Sequence, residues 1–145
     1  NRLFCGLKIS LRKVKKTDWD YIMKLRNESY ENFYLQEKPL TKKEHYAYLK
    51  KQKTNSKFFN WIILKNEKEV GYVRLLNNDV SIIVDKKFRD KNIGTNTLKL
   101  LEEEAKKIGL KKLIALILTK NQTSKKIFEK NQYKLKQLWM EKEIN

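Results

Sequence analysis

The stretch VSIIV at positions 80–84, followed by RDKNIGT at positions 89–95, decides the fold of this chain. The apolar run predicts a strand, and an amphipathic helix of about fifteen residues begins at the end of the second stretch. The first N–H groups of such a helix have no intrahelical partner, and the helix dipole adds about half a positive charge there. The junction therefore suits a phosphate or pyrophosphate, although an ordinary turn with an exposed arginine is the alternative.

Three residues of this junction favour an anion. Arg89 places a cation beside the turn, and Gly94 lets the backbone approach a ligand closely. Asn92 is the kind of residue, other than glycine, that most readily adopts the left-handed conformation required by many phosphate loops. These features predict an anion site at the start of the helix.

The size and composition of the chain predict one compact unit. At 145 residues, with 40% hydrophobic and 11% aromatic side chains, the chain can fill one core, and we expect a single domain over residues 1–145. No apolar run is long enough to span a membrane. The N-terminal residues do not resemble a secretory signal, and the single cysteine, Cys5, excludes an internal disulfide and a cysteine-based zinc cluster. We therefore expect a cytoplasmic protein without a metal site.

The charge of the chain is strongly positive, at +17. Such a charge suggests a polyanionic partner, but only five of the 34 basic residues are arginines, and the lysines are spread along the whole chain. Proteins that recognise nucleic acid concentrate arginine where bases or phosphates are bound. A lysine-rich solvated surface is the simpler interpretation, and nucleic acid is not the expected partner.

The first part of the chain predicts one strand and two helices. Apolar and polar residues alternate over residues 7–14, as in a half-buried strand. A helix follows and ends near Asn27, because apolar residues recur there at three- and four-residue spacing. Thr41 and Glu44 resemble a capping box at the start of a second helix.

A meander of strands occupies the middle of the chain. Three apolar runs, at residues 58–64, 70–76 and 80–84, are separated by short turn-like segments. The long helix that follows the third run ends at Gly109. Its length allows the crossover that a parallel strand pairing needs.

The last part of the chain predicts two further strands and a helix. The continuous apolar run at 113–118 is typical of a strand covered on both faces. A short helix over 123–130 and a strand over 133–139 complete the order β-α-α-β-β-β-α-β-α-β. The expected fold class is α/β (α+β), with a mixed central sheet flanked by helices.

This order resembles the GNAT superfamily of acetyl-CoA-dependent N-acetyltransferases over nearly the whole chain. The pyrophosphate motif of that family is Arg or Gln, two residues, Gly, one residue, then Gly or Ala, and Arg89, Asn92 and Gly94 stand at those positions. Asn92 thus replaces the first glycine. A second family pattern, about thirty residues further on, is matched by Asn121, Ser124, Ile127, Phe128, Lys130 and Tyr133.

The resemblance implies a single GNAT domain that transfers acetyl from acetyl-CoA to an amine. It places the pyrophosphate on backbone amides of residues 91–95 and the pantetheine arm along residues 82–84, with Asn121 beside that arm. A helix cap is the alternative role of Asn121. The cofactor-binding residues implied in this way are Ile82, Ile83, Val84, Arg89, Lys91, Asn92, Ile93, Gly94, Thr95, Asn121, Ser124 and Phe128.

The acid that protonates the departing thiolate is not evident. Family members commonly have a tyrosine at the position of Phe128, and a phenyl ring cannot donate a proton. Phe128 is therefore expected only to pack against the cofactor. Tyr133 is the nearest tyrosine in the sequence, although a core or surface position is the alternative for it.

The identity of the general base that would deprotonate the acceptor amine is equally open. Ser81 stands where family members often have a glutamate, and the carboxylates of Asp79 and Asp85 flank it along the strand. Either carboxylate could accept a proton through water, although aspartates in turns are mostly solvated. His45, the single histidine, has the intrinsic pKa of a base, and its alternative is a polar surface position.

The acceptor is narrowed by two short segments, residues 25–27 and 40–49. They are similar to acetyltransferases that act on amino-sugar nucleotides and to those that modify the N-termini of ribosomal proteins. The resemblance implies substrate contacts for Arg26, Asn27 and His45, and the absence of an evident base disfavours a lysine acceptor, whose amine has a pKa of about 10.4. We expect a small-molecule amine, with an amino-sugar nucleotide preferred. A peptide N-terminus, an aminoglycoside, a non-catalytic acetyl-CoA-binding domain and a homodimeric state are left open.

Overall fold

The computed structural model of the chain describes residues 2–4, 7–33, 36–89 and 92–145. Five strands form one antiparallel sheet in sequence order. The strands are β1 (Arg2–Phe4), β2 (Leu7–Lys13), β3 (Phe58–Lys65), β4 (Lys68–Leu76) and β5 (Asp79–Val84). The helices are α1 (Trp19–Glu28), α2 (Lys42–Gln52), α3 (Ile93–Ile108) and α4 (Gln122–Lys130).

The two faces of the sheet are covered by different helices, because side chains alternate along each strand. One face buries Val73, Val80 and their neighbours against Leu98 and Leu101 of α3, with Phe128 of α4 in the same cluster. The opposite face buries a second cluster against α1 and α2. The members of that second cluster are Trp19, Ile22, Leu25, Leu49, Ile62, Leu64, Tyr72 and Ile83.

The elements predicted from residue 7 to residue 109 form, and the mixed α/β class is confirmed. Thr41 and Glu44 make both hydrogen bonds of the capping box, at 3.2 and 3.1 Å. Gly109 ends α3 with φ of 92°, a left-handed conformation that favours glycine. Strand β1, which was not predicted, extends the sheet beyond β2.

The two strands predicted near the C-terminus are not regular strands. Ile114 makes only an isolated parallel bridge to Asp79, and residues 132–145 contain no helix or strand. Leu113 and Ile117 pack on the core whereas Leu116 is 69% exposed, so the apolar run is covered on one side and not on both. An apolar run indicates that its side chains tend to be buried, but a strand also requires a neighbouring backbone with which to pair. No helix of the described part of the chain has the length and apolar character needed to cross a membrane.

Candidate functional site

The start of α3 has the geometry of an anion site. Asn92 has φ of 58° and ψ of 20°, so the predicted left-handed conformation is observed. The first hydrogen bond of the helix runs from the N–H of Asn96 to the carbonyl oxygen of Asn92, at 3.2 Å. The N–H groups of residues 93–95 therefore precede the helical hydrogen bonds and point along the positive end of the helix dipole. Lys91, which we expected to contribute an amide here, lies outside the described residues.

Gly94 has a packing role that the sequence did not reveal. It is buried, and a Cβ atom at this position would lie 2.9 Å from Cδ1 of Ile127 in α4. Nearby, the side-chain amide of Asn131 donates to the carbonyl oxygen of Thr95 at 3.2 Å. The side on which a Cβ atom would project is thus occupied by α4. The missing side chain of Gly94 lets α4 pack against the first turn of α3, and the approach of a ligand to its backbone N–H stays a prediction.

Arg89 is anchored by two hydrogen bonds. Its Nε donates to the carbonyl oxygen of Val84 at 2.9 Å, and its Nη2 donates to Oγ of Ser29 at 2.8 Å. Its guanidinium therefore links the end of β5 to the C-terminal end of α1. Arg89 is close in sequence to the loop before α3, as predicted, but its guanidinium is also bound by groups of the protein itself.

The outer edge of β5 is partly unpaired. Ile114 donates to the carbonyl oxygen of Asn78 and accepts from the N–H of Val80, both at 2.8 Å. Because the backbone groups of alternate residues face opposite edges, Ile82 and Val84 also face this outer edge. Ile83 instead pairs with Tyr72 of β4, which corrects its predicted main-chain contact. The carbonyl oxygen of Val84 accepts from Arg89, so the backbone groups of Ile82 and the N–H of Val84 are left, among the described residues, as the candidates for hydrogen bonds to an extended ligand.

The residues of the second motif mainly support α4. Oδ1 of Asn121 accepts from the N–H of Ser124 at 3.2 Å, which is the helix-cap alternative for Asn121. Phe128 is only 4% exposed, and its ring meets that of Tyr133 edge to face, with centroids 4.8 Å apart. Direct contact of Phe128 with a cofactor, as we expected, is therefore not supported by its position in the core.

Tyr133 lies on the α3 side of the sheet. Its hydroxyl group is buried and has no hydrogen-bond partner among the residues that the structure describes. Burial, together with the charge of Glu102, raises the pKa of Tyr133 to about 12. A hydroxyl with this pKa keeps its proton at neutral pH, so Tyr133 is chemically able to act as an acid, but its hydroxyl group is buried within a side chain that is itself half-buried against the core.

A polar row crosses the sheet on the face covered by α1 and α2. Asn60, Arg74 and Ser81 are directly opposite one another on β3, β4 and β5. Nη1 of Arg74 lies 3.2 Å from Oδ2 of Asp79 and 3.3 Å from its carbonyl oxygen. Asp79 is therefore an ion-pair partner of Arg74, a role that its position in the sequence did not suggest. Ser81 is the member of the row nearest the unpaired edge of β5.

Tyr72 and Arg26 complete this polar region. Nδ2 of Asn60 donates to the hydroxyl oxygen of Tyr72 at 3.2 Å, and burial raises the pKa of Tyr72 to about 12. The guanidinium of Arg26 lies over the ring of Phe33, 5.1 Å from its centroid. Asn60, Tyr72 and Arg74 were not predicted as site residues. The sequence feature that could have revealed them is the presence of polar groups at alternate positions of otherwise apolar strands.

His45 and Asn27 have structural roles, which corrects both expectations. His45 is 1% exposed, and its Nε2 lies 2.8 Å from the carbonyl oxygen of Trp19, so it joins α2 to α1. Asn27 bonds the backbone of Leu40 through both ends of its amide, at 2.7 and 3.0 Å. Asp85, considered as a base, is 5% exposed and accepts from Tyr21 and from the N–H of Lys87.

Together these features separate two sites on one sheet. The first turn of α3 and the edge of β5 form a backbone-lined site suited to an extended ligand that carries a phosphate group. The polar row lies on the opposite face and ends at the same strand. In the part of the chain that the structure describes, no group of three His, Cys, Asp or Glu side chains could hold a metal ion.

Comparison with known proteins identifies the family. Residues 8–134 match the acetyltransferase (GNAT) domain model. The chain therefore belongs to the GNAT acetyltransferase family, as the sequence motifs indicated.

Three relatives illustrate the match. A Methanocaldococcus jannaschii protein is 34% identical over 134 residues, covering 84% of this chain and 27% of the relative. The crystal structure of a domain from the same organism has a TM-score of 0.79 at 31% identity, covering 88% of this chain and 89% of that one. An N-acetyltransferase from Staphylococcus aureus Mu50 has a TM-score of 0.74 at 26% identity, covering 88% and 84%. The chain thus spans about a quarter of the curated relative's length.

Proposed function

We propose that this chain transfers acetyl from acetyl-CoA directly to the primary amine of a small molecule, preferably an amino sugar attached to a nucleotide. One observation carries the donor half of this proposal. Asn92 adopts a left-handed conformation at the residue before α3, and the amides of residues 93–95 follow it without helical partners. A pyrophosphate is the part of acetyl-CoA that such a cradle fits.

The donor site extends from this cradle along β5. Ile82 and the N–H of Val84 offer backbone groups at the partly unpaired edge, where an extended pantetheine arm could add to the sheet as a strand does. Asn121 keeps its side-chain NH2 group for a further contact, since its oxygen caps α4. When acetyl-CoA is bound, it supplies the thioester that is attacked.

The acceptor half is supported by the polar row. Ser81 lies at the end of the row that is nearest the donor edge, so an amine placed there approaches the thioester from the α1 and α2 side. Positioning alone can supply much of the rate enhancement of such a transfer. The carboxylate of Asp79, beside the row, is engaged by Arg74, so we assign it to positioning and not to proton abstraction.

An acceptor amine that is largely neutral at working pH fits this arrangement. His45 is buried and the carboxylates of Asp79 and Asp85 are engaged, so a strongly basic amine would find no evident group to deprotonate it among the described residues. A lysine side chain, with a pKa of about 10.4, is therefore disfavoured against a less basic amine. The net charge of +17 also suits an acceptor that carries phosphate.

The test is the release of free CoA thiol from acetyl-CoA with a panel of acceptors. The panel contains a UDP-linked amino sugar, the same amino sugar without UDP, a peptide with a free α-amine and an N-blocked peptide with one lysine. We expect the UDP-linked sugar to have the highest kcat/KM and the lysine peptide to have the lowest. Preference for the α-amine peptide would refute the acceptor assignment.

The donor assignment is tested separately by thermal unfolding with acetyl-CoA and with duplex nucleic acid. Stabilisation by acetyl-CoA is expected, because a ligand that binds only the folded state raises the unfolding temperature. Stabilisation by nucleic acid alone would refute the proposal that the chain is an acetyl-CoA-dependent enzyme. Stabilisation by acetyl-CoA without turnover of any acceptor would instead leave an acetyl-CoA-binding domain.

A further inference from the structure

The side chain of Arg26 is placed where an unpaired cation is costly. Its guanidinium lies over the ring of Phe33, 5.1 Å from the centroid, and its Nε is buried without a hydrogen-bond partner among the described residues, while the residue as a whole is half-buried. A buried charge is normally compensated by a carboxylate or by several hydrogen bonds. Its contact with the ring of Phe33 is the favourable interaction that the structure provides.

A second arginine lies on the face of the sheet that α1 covers. Arg74 is on the face of β4 that packs against α1, two residues from Tyr72. Its side chain is 14% exposed, and Asp79 engages one of its terminal nitrogens, at 3.2 Å. The pKa of Arg26 is lowered mainly by burial, and the charge of Arg74 lowers it further. With Asp79 included, the cluster of Arg26, Arg74 and Asp79 retains an excess of one positive charge.

We propose that Arg26 and Arg74 form a subsite for a phosphate group of the acceptor. Guanidinium groups present paired N–H donors that match the oxygen atoms of a phosphate, and two of the five arginines of this lysine-rich chain stand here. This proposal rests on the proposed acetyl transfer, and it assigns the acceptor to the phosphate-bearing class.

The surroundings of the subsite indicate where the phosphate could come from. Tyr48 is 38% exposed, and its ring meets Phe58 edge to face at 6.2 Å, on the same side of the sheet. Exposed aromatic rings are surfaces on which a nucleobase can stack. A nucleoside diphosphate and an inorganic or sugar phosphate share the chemistry of the subsite, but only the first would use the exposed ring of Tyr48.

The test is calorimetric titration of the protein with UDP and with inorganic pyrophosphate. The protein is first saturated with CoA, so that the anion site at α3 is occupied, and physiological ionic strength limits diffuse binding to lysines. We expect both probes to bind. A higher affinity for UDP identifies a nucleotide as the source of the phosphate, and equal affinities identify a phosphate without a base.

Variants decide whether the two arginines are responsible. Arg26→Gln and Arg74→Gln should each raise the Kd of UDP about thirtyfold or more, whereas Arg26→Lys should raise it less. Lys24→Gln is the control, because it removes the same charge from an exposed side chain of α1. A similar loss in Lys24→Gln, no effect of the arginine variants, or no binding of either probe would overturn the subsite.

Two further measurements distinguish a binding role of the arginines from a purely structural one. Binding of CoA should be unchanged in both arginine variants. If the wild-type protein itself does not bind CoA, the proposed function is refuted, and not the subsite alone. Without ligand, Arg26→Gln should unfold at the same temperature as the wild type or higher, because it removes a half-buried cation whose Nε has no hydrogen-bond partner among the described residues. A lower unfolding temperature of Arg26→Gln would indicate that Arg26 has a purely structural role. In that case Arg26→Lys tests the subsite without removing the charge.

Discussion

Gly94 in the first turn of α3 and Ile127 in α4 are packed so closely that a Cβ atom at Gly94 would lie 2.9 Å from Cδ1 of Ile127. The glycine is therefore required by the contact between the helices. This relationship fixes the N-terminal turn of α3 against α4, and Asn131 adds a hydrogen bond to Thr95 at the same point.

Gly94→Ala should destabilise the fold by about 1–3 kcal/mol, because the added methyl group overpacks this contact. Combining it with Ile127→Val should recover part of the loss, since the crowded Cδ1 atom is removed. The free energies of unfolding of the two single variants and the double variant are measured in urea. Strictly additive losses would show that the two side chains do not compete for the same space.

Asn92 supplies the left-handed residue before α3. Asn92→Gly should keep the affinity for acetyl-CoA, because glycine adopts this conformation without strain. Asn92→Val should destabilise the turn by about 1–2 kcal/mol and weaken acetyl-CoA binding, because a β-branched residue is strained there. Calorimetric titration with acetyl-CoA measures both effects, and an equal affinity of the valine variant would refute the role of the turn.

How much of the molecule the sequence could predict depends on the range of the interaction. The capping box at Thr41 and the conformation of Asn92 follow from local chemistry, and both were predicted. The burial of His45 depends on how α2 packs on α1, so its position in the sequence could not reveal it. The missing C-terminal strands have the same cause, because apolar residues alone do not specify a pairing partner.

His45 has a consequence for stability at low pH. Burial lowers its pKa below the ordinary value of 6.5, so the unfolded chain binds a proton more readily than the folded protein. The free energy of unfolding is therefore fully retained above about pH 6.5. It decreases as the pH falls below this value, until His45 is protonated in the folded protein as well. His45→Gln, which cannot titrate, should lose less stability between about pH 7 and pH 5.

Thermal unfolding at several pH values checks this expectation, with the unfolding temperature of the wild type as the reference. The pH profile of kcat should be the same in the variant and the wild type. A profile in which the limb near neutral pH disappears would instead make His45 a proton carrier in the reaction.

Asp79 is expected to act through Arg74, which it contacts at 3.2 Å. Asp79→Asn should raise the KM for a phosphate-bearing acceptor by about three- to tenfold, a loss of the size expected for a hydrogen bond to a charged group. The pH dependence of kcat should keep its shape, because a positioning residue donates and accepts no proton. Loss of the acidic limb of that profile would make Asp79 the general base.

The donor site is tested most directly by NMR titration of the isotopically labelled protein with acetyl-CoA. We predict that the largest changes in backbone amide shift occur at residues 93–95 and at Ile82 and Val84, with a smaller change at Ile83, whose backbone pairs with β4. Saturable binding that leaves the amides of residues 93–95 unchanged would contradict the assignment of this helix start and strand edge as the acetyl-CoA site.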